Sequence, residues 1–170
     1  PQDDKIDHLP GCILAQDITA PFDVPLFNNS AMDGFGVRTK DLTTATKETP
    51  VELPIQACIQ AGDHYKGALK KGHTVQIFTG APIPKGVDAI VMKEHCLHQG
   101  QTVQFYRNAK AKDHIRFQGE EFQKNTAVIS TDTPINPATI GLLATLGYDK
   151  ASVYRKPKVS LLITGNELVQ

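Results

Sequence analysis

The sequence predicts a mainly β protein with some helix, of the α+β class, and three observations lead to this fold class. Short strand-like segments follow one another along most of the chain without alternating with long helices, which disfavours a doubly wound parallel sheet for residues 1–130. One helix is clearly indicated, and it comes late in the chain. Residues 156–170 differ, because a buried apolar strand that leads into a glycine turn is typical of the start of an α/β domain.

Six segments before that helix show strand patterns. Residues 73–79 alternate polar and apolar side chains, which is the period of a half-buried strand. Residues 89–92 form a short apolar run, Ala-Ile-Val-Met, that indicates a buried strand. On such patterns we expect strands, in chain order, over residues 11–18, 50–59, 73–79, 89–92, 102–106 and 127–130.

The segments between these strands predict turns and irregular structure. Pro21 and Pro25 favour an extended path, because proline fixes φ and restricts the residue before it. Residues 28–36 contain two asparagines, two glycines and an aspartate, which favours a loop with unusual backbone angles. Residues 37–46 fit a short helix or an irregular segment. Further turns are expected over residues 61–63 and 80–86.

The single helix is predicted from its two ends. Asn136 is a good N-cap, since its side chain can accept a hydrogen bond from an unpaired amide of the first turn. Pro137 follows at the first helical position, where a missing N–H costs nothing. Ile140 and Leu143 lie on the apolar stripe, and Gly147 fits the left-handed residue that commonly ends a helix. A buried strand is then expected over residues 158–164.

Composition excludes several classes of function. The 170 residues include 18 basic and 18 acidic side chains, and a net charge of zero argues against binding to nucleic acid, which favours a basic excess. No apolar run approaches the roughly 20 residues that span a bilayer, so no membrane partner is expected. The three cysteines are odd in number and far apart, which predicts reduced thiols and a cytoplasmic protein.

Three motifs contain side chains that could do chemistry. Asp33 lies in a glycine-flanked loop that is either an ordinary surface turn or a rigid loop presenting a carboxylate to a metal or substrate. Thr79 places a hydroxyl at the end of a strand, and Gly80 allows a ligand to approach the backbone, although a structural turn is equally compatible. Arg116 could hold an oxyanion and Glu121 a cation, unless the motif is a solvated charged turn.

Two further segments suggest sites more weakly. Glu94, Cys96 and His98 would share one face of a strand, so a zinc site is one interpretation of this segment. No second ligand pair with zinc spacing lies nearby, so solvent-facing strand residues are the preferred interpretation. Residues 164–168 place a glycine turn at the end of the last strand, where open α/β domains bind ligands.

Four motifs stand in order along the chain. Residues 28–37 read Asn-Asn-Ser-Ala-Met-Asp-Gly-Phe-Gly-Val, and residues 79–91 read Thr-Gly-Ala-Pro-Ile-Pro-Lys-Gly-Val-Asp-Ala-Ile-Val. Residues 116–121 read Arg-Phe-Gln-Gly-Glu-Glu, and residues 164–168 read Thr-Gly-Asn-Glu-Leu. Their order and spacing resemble the MoeA-type molybdopterin molybdenumtransferases, a family that includes the E domains of gephyrin and its plant counterparts.

The resemblance implies a reaction and a set of residues. In this family adenylylated molybdopterin is hydrolysed and molybdate is inserted into its dithiolene, giving molybdenum cofactor and AMP with the help of Mg²⁺. The resemblance places Asp33 and Glu167 as carboxylates that orient metal or substrate, and Thr79 as a hydrogen-bond donor. The full set implied is Asp33, Thr79, Glu121 and Glu167 for catalysis, Ser30, Met32, Gly80 and Arg116 for substrate binding, and Asp33 and Glu167 for metal.

The resemblance also implies an architecture and partners. Residues 1–20 and 126–155 would form a first domain, interrupted by a β-rich domain of residues 21–125. Residues 156–170 would be the truncated start of an α/β molybdopterin-binding domain, so the chain is expected to be a fragment that is inactive alone. The family works as a homodimer, and a molybdopterin adenylyltransferase is the expected partner that supplies molybdopterin-AMP.

Departures from the family pattern include four positions in these motifs. Glu121 stands where Asp is usual, which adds a methylene, and Asn166 removes a charge beside Glu167. Asn28 replaces a usual Asp, and Gly36 replaces a usual Ala. The alternative hypothesis is a MoeA-like scaffold or dimerisation module without catalytic activity. The retained acidic and hydroxyl positions favour the enzyme.

Overall fold

A computed structural model of the protein describes residues 1–63 and 65–164, and it confirms a mainly β fold with one α-helix. The strands are β1 (Gln2–Lys5), β2 (Ile18–Thr19), β3 (Asn29–Ser30), β4 (Gly34–Val37), β5 (Val51–Ile59), β6 (Thr74–Ile77), β7 (Ala89–Met92), β8 (Cys96–Gln99), β9 (Thr102–Phe105), β10 (Ile115–Arg116), β11 (Ala127–Ile129) and β12 (Lys150–Val153). The helix α1 is Pro137–Thr145, and short 3-10 helices span Ile6–His8, Thr39–Leu42 and Lys93–His95.

The chain divides into two compact units. The two-segment unit consists of Pro1–Pro21 and the chain from Asn125 onward, and the continuous unit is Phe22–Lys124. In the two-segment unit β1 pairs with β12 and β2 pairs with β11, both antiparallel. These pairings join the two ends of the unit's sequence, so neither segment completes its sheets alone.

The continuous unit is built on a six-stranded sheet in the order β7-β4-β6-β5-β9-β8. The β5–β6 pair is parallel and the other pairs are antiparallel. An apolar cluster that includes Phe35, Ala89 and Val91 packs on one side, and Ile90 belongs to a second cluster with Val75. Because successive residues of β7 enter different clusters, this strand is apolar throughout, as the run Ala-Ile-Val-Met predicts.

The predicted helix is confirmed at both ends. Asn136 caps α1, its side-chain oxygen accepting from the Thr139 N–H at 3.0 Å, and Pro137 is the first helical residue. Gly147 has φ of +79°, the left-handed conformation that ends helices. No helix in the described ranges has the length and apolar character needed to cross a membrane.

Three sequence-based expectations about elements are wrong. Residues 28–36 are not simply a loop, because β3 and the start of β4 lie within them. The strand expected over residues 11–18 reduces to isolated bridges at Ile13 and Leu14, followed by β2. Residues 158–164 form no strand, and Leu161 and Leu162 are 84% and 88% exposed, because the described residues offer this segment no partner strand.

Candidate functional site

Asp33 lies immediately before β4, and the packing of β4 on β7 fixes its backbone. A Cβ atom on Gly34 would lie 2.1 Å from the Val91 carbonyl oxygen, so only glycine allows this close approach. The register aligns Gly34 with Met92, and the Lys93 N–H donates to the Asp33 carbonyl at 3.2 Å. The strand pair therefore brings the side chains of Asp33 and Lys93 together.

The Asp33 carboxylate is held by three donors. Its Oδ1 accepts from the Thr79 backbone N–H at 3.0 Å and from the Thr79 hydroxyl at 2.8 Å. Its Oδ2 accepts from the Lys93 ammonium at 3.4 Å, forming an ion pair. The Thr79 backbone N–H, then its hydroxyl, and also Lys93 lower the pKa of Asp33. Asp33 is therefore ionised at neutral pH, and the predicted donor Thr79 donates to it.

Two of the other predicted residues shape the loops beside Asp33. Gly80 has φ of +81°, which side chains rarely adopt, and its N–H donates to the Ser30 carbonyl at 2.8 Å. The Ser30 side chain is fully buried, and its hydroxyl donates to the Met32 carbonyl at 2.6 Å. Met32 is 39% exposed beside them. Ser30 and Gly80 thus join the two loops that present Asp33 and Thr79.

Arg116 and Glu121 form a separate cluster. Arg116 lies in β10, which pairs with β3, and its register partner is Asn29. Its guanidinium forms ion pairs with Glu121 and, at 3.3 Å, with Glu120. Over residues 1–63 and 65–164, none of the observed ion pairs or hydrogen bonds connects Arg116 or Glu121 to Asp33. Glu167, the last predicted catalytic residue, lies outside the described residues.

Lys93 is the contact of Asp33 that the sequence did not indicate. Asp33 precedes a strand and Lys93 follows another, and the two residues are 60 positions apart. Opposite charges at the ends of two strands could have suggested an ion pair only if the pairing of β4 with β7 had been known. That pairing is a property of the sheet order and not of either segment.

Asp33 and Lys93 line two clefts at once. The first, which we call the Asp33 cleft, has a volume of about 250 Å³ and is lined by Met32, Asp33, Thr79, Met92, Lys93 and Glu94. The second has a volume of about 320 Å³, and its lining includes Phe35, Gln76 and His98. Asp33 and Lys93 are the residues that both linings share, so their ion pair stands between the clefts.

The described residues do not form a magnesium site. Magnesium prefers oxygen ligands in octahedral geometry, with one or two carboxylates and several waters. Here Oδ1 of Asp33 is occupied by Thr79, and Oδ2 faces the ammonium of Lys93. Over the described ranges, no three His, Cys, Asp or Glu side chains lie close enough to hold a metal ion. A cation at Asp33 would have to displace Lys93 and find other ligands.

The zinc alternative also fails on geometry. Glu94 lies in the 3-10 helix Lys93–His95 and not in β8, so it does not share a strand face with Cys96 and His98. The Cys96 thiol donates to the backbone carbonyls of Met92 and Lys93. Burial, and next the charge of Glu94, raise the pKa of Cys96 to about 11. The thiol is therefore protonated at neutral pH and donates to those two carbonyls.

Known proteins are similar to this chain along almost its whole length. Residues 2–147 match the family "MoeA N-terminal region (domain I and II)". A molybdopterin molybdenumtransferase of Staphylococcus epidermidis is 38% identical over 98% of this chain and 40% of that protein. One of Nostoc sp. is 36% identical over 94% and 36%. The chain thus spans about 40% of the length of the curated relatives it matches.

A solved structure shows the same fold. The crystal structure of the molybdopterin biosynthesis MoeA protein from Pyrococcus horikoshii OT3 superposes with a TM-score of 0.93. Its sequence is 33% identical, and the match covers 99% of this chain and 44% of that one. The mainly β fold is therefore a fold that proteins of this type adopt.

Proposed function

Because this chain belongs to the family of MoeA N-terminal regions (domains I and II), we propose that it supplies the Asp33 cleft of a molybdopterin molybdenumtransferase. The reaction proposed is the insertion of molybdate into adenylylated molybdopterin, with release of AMP. The observation that supports it is the set of three donors on the Asp33 carboxylate at the wall of a cleft. The Asp33, Thr79 and Lys93 side chains all line that cleft.

In this proposal Asp33 positions the Lys93 ammonium. Its ionised carboxylate accepts the single proton of the Thr79 hydroxyl and keeps Lys93 at the wall of the cleft. An ammonium has three donors, so Lys93 can bind Asp33 and still donate to an anionic substrate group. Positioned donors of this kind stabilise charge that develops during phosphate chemistry. Mg²⁺ takes part in no step of this proposal, because the described residues do not form its site.

Several parts of the proposal rest on the family alone. We propose that Glu167 and Glu121 act with residues outside this chain, and that Met32, Ser30, Gly80 and Arg116 contribute to binding as the resemblance implies. We also propose a cytoplasmic homodimer that receives molybdopterin-AMP from a molybdopterin adenylyltransferase. Residues 156–170 would open the α/β domain, and a chain of the relatives' full length would be needed for turnover.

Asp33→Asn tests the proposal in a protein of the relatives' full length that contains this chain. We expect AMP release from adenylylated molybdopterin to fall about 100-fold or more, since a neutral amide no longer holds Lys93. Asp88→Asn is the matched control, because Asp88 accepts from the Thr39 N–H at 2.7 Å and the Thr39 hydroxyl at 3.1 Å. Asp88→Asn should leave turnover per folded molecule within about twofold of the wild-type rate, because Asp88 lines neither of the clefts beside Asp33. Normal turnover by Asp33→Asn would remove Asp33 from the mechanism and favour the non-catalytic scaffold.

A further inference from the structure

A third cavity lies along the outer edge of β7. It has a volume of about 330 Å³ and is lined by Ile90, Val91 and Met92 of β7 and by Arg107, Asn108, Ala109, Lys110, Asp113 and His114. Strand β7 is at the edge of the six-stranded sheet, so its outer side is free for segment 107–114. The Ile90 N–H donates to the Asp113 carbonyl at 2.9 Å, which holds this segment against the strand. We call this space the Arg107 cavity.

The polar lining of the Arg107 cavity is rich in donors and positive charge. Arg107 and Lys110 are cationic, and Asn108 and His114 add further donors. Asp113 is the one carboxylate of the lining, and its Oδ2 accepts from the Lys110 backbone N–H at 3.0 Å. Neither Arg107 nor Lys110 has a carboxylate partner among the ion pairs of the described residues. These two charges are therefore available to a ligand.

One hydrogen bond orients the exposed Arg107 side chain, and two residues of the loop have an unusual backbone conformation. The Arg107 guanidinium donates to Nδ1 of His95, so this side chain is held in place without losing its charge. Lys112 and His114 have φ of 76° and 55°, a left-handed conformation that is uncommon outside glycine. Such conformations persist where surrounding contacts impose them, and they are frequent at ligand-binding loops. Segment 107–114 thus lines the cavity, and the Arg107 guanidinium keeps N–H donors beyond the one that binds His95.

Two contacts connect the Arg107 cavity with the Asp33 cleft. Met92 lines both spaces. The His114 carbonyl accepts from the Ala31 N–H at 2.9 Å, which ties segment 107–114 to the loop that carries Asp33. A ligand in the Arg107 cavity would therefore lie next to the cleft that we assign to the reaction.

We propose that the Arg107 cavity binds a tetrahedral oxyanion of charge −2. Arginine binds such groups with two parallel hydrogen bonds, and a lysine and an amide supply further donors. The oxyanion could come from two sources, a phosphate group of the nucleotide-bearing substrate or molybdate itself. This choice of ligands rests on the proposed function, whereas the oxyanion site rests on the cavity.

Titration of the 170-residue chain, followed by amide NMR, tests the proposal. Sodium phosphate, sodium molybdate and AMP are added separately at constant ionic strength. We expect saturable shifts at Met92 and in residues 107–114. Arg107→Gln and Lys110→Gln should each weaken binding about tenfold, because each removes a charge-assisted hydrogen bond. If AMP competes with molybdate, the site accepts both the phosphate group of a nucleotide and molybdate. If only molybdate binds, the site is specific for the metal oxyanion.

The double variant Arg107→Gln with Lys110→Gln removes two charges from the cavity, and its control removes two charges elsewhere. Lys70→Gln with Lys71→Gln removes two charges from exposed positions of the same unit, and it should leave binding unchanged. Equal weakening by this control and by Arg107→Gln with Lys110→Gln would show non-specific charge attraction and overturn the proposal. So would the absence of saturable shifts in residues 107–114. Normal turnover by Asp33→Asn would refute the proposed function without changing either of these results.

Discussion

Asp33 and Asp88 are held in nearly the same way, and their surroundings separate their roles. Each carboxylate accepts from the backbone N–H and the hydroxyl of one threonine, Thr79 for Asp33 and Thr39 for Asp88. Asp33 also faces Lys93, and it lines two clefts whose linings omit Asp88. A threonine-held aspartate is thus a structural device of this chain, and the cleft makes the Asp33 copy a candidate for chemistry.

The pKa of Asp33 gives the first prediction at this scale. The Thr79 donors and Lys93 lower this pKa, so their stabilising effect is complete above the unfolded value of about 3.9 and is lost as the pH falls through the folded value. Thr79→Val removes the hydroxyl and keeps the backbone N–H, so the pKa of Asp33 should rise partway. Carboxyl ¹³C NMR measures it. Thr39→Val is the control, because Thr39 does not contact Asp33. An equal pKa of Asp33 in the two variants would contradict the role of the Thr79 hydroxyl.

Gly34 gives the second residue-scale prediction. Gly34→Ala would place a methyl group 2.1 Å from the Val91 carbonyl, a backbone atom of the paired strand. We expect the free energy of unfolding to fall by about 1–3 kcal/mol or more, measured by urea denaturation. Gly36→Ala is the comparison, since its Cβ would meet the side-chain methyls of Val75 and Val87 at 2.8 and 3.1 Å, which can shift. A larger loss for Gly36→Ala would contradict this account.

At the scale of elements, α1 shows how local signals define a helix. Asn136→Ala removes the hydrogen bond to the Thr139 N–H and should lower the free energy of unfolding by about 1 kcal/mol. Gly141→Ala should raise it by about 0.5–1 kcal/mol, because Gly141 lies within the helix and a Cβ there meets nothing within 4 Å. Urea denaturation measures the free energy of unfolding of both variants. Changes of the same sign in the two variants would contradict this account of α1.

Strands β3 and β4 show the opposite case. Their sequence is rich in Asn, Ser and Gly, which have low strand propensity, so a loop was the reasonable expectation. Strand β3 pairs with β10, and β4 pairs with β6 and β7, all from distant parts of the chain. Glycine is required in β4 because of the neighbouring backbone at Val91. Pairing with distant partners thus overrides the local preference of these residues.

At the scale of the whole molecule, the continuous unit contains its own core. Both of its apolar clusters and all six strands of its sheet lie within Phe22–Lys124. We therefore expect a chain of residues 22–124 to fold alone, with dispersed amide NMR signals and a cooperative unfolding transition. Collapsed, poorly dispersed spectra would show that it depends on the other unit.

A matching experiment tests whether the two-segment unit also folds alone. The two segments meet at their junction, since the Asn125 N–H donates to the Ala20 carbonyl at 2.7 Å. A short glycine-serine linker between residues 21 and 125 should therefore retain the β1–β12 pair. Residues 125–170 without residues 1–21 should not fold, because β1 and β2 would be missing. Folding of that piece alone would contradict this description.

The sequence by itself determined the features whose signals lie within a few residues. The cap at Asn136, the proline after it and the glycine at 147 define α1, and apolar patterns locate β6 and β7 to within about two residues. The four motifs also predicted the family, and the candidate residues Asp33 and Thr79 come from them.

Only the tertiary structure decided which of these residues meet. It joins Asp33 to Thr79 and to Lys93 across 46 and 60 positions, and it keeps Arg116 and Glu121 in an ion-pair cluster of their own. It also leaves residues 158–164 exposed although their apolar pattern predicted a buried strand. The physical reason is that strand register and burial depend on partners distant in the chain, and a local pattern does not name those partners.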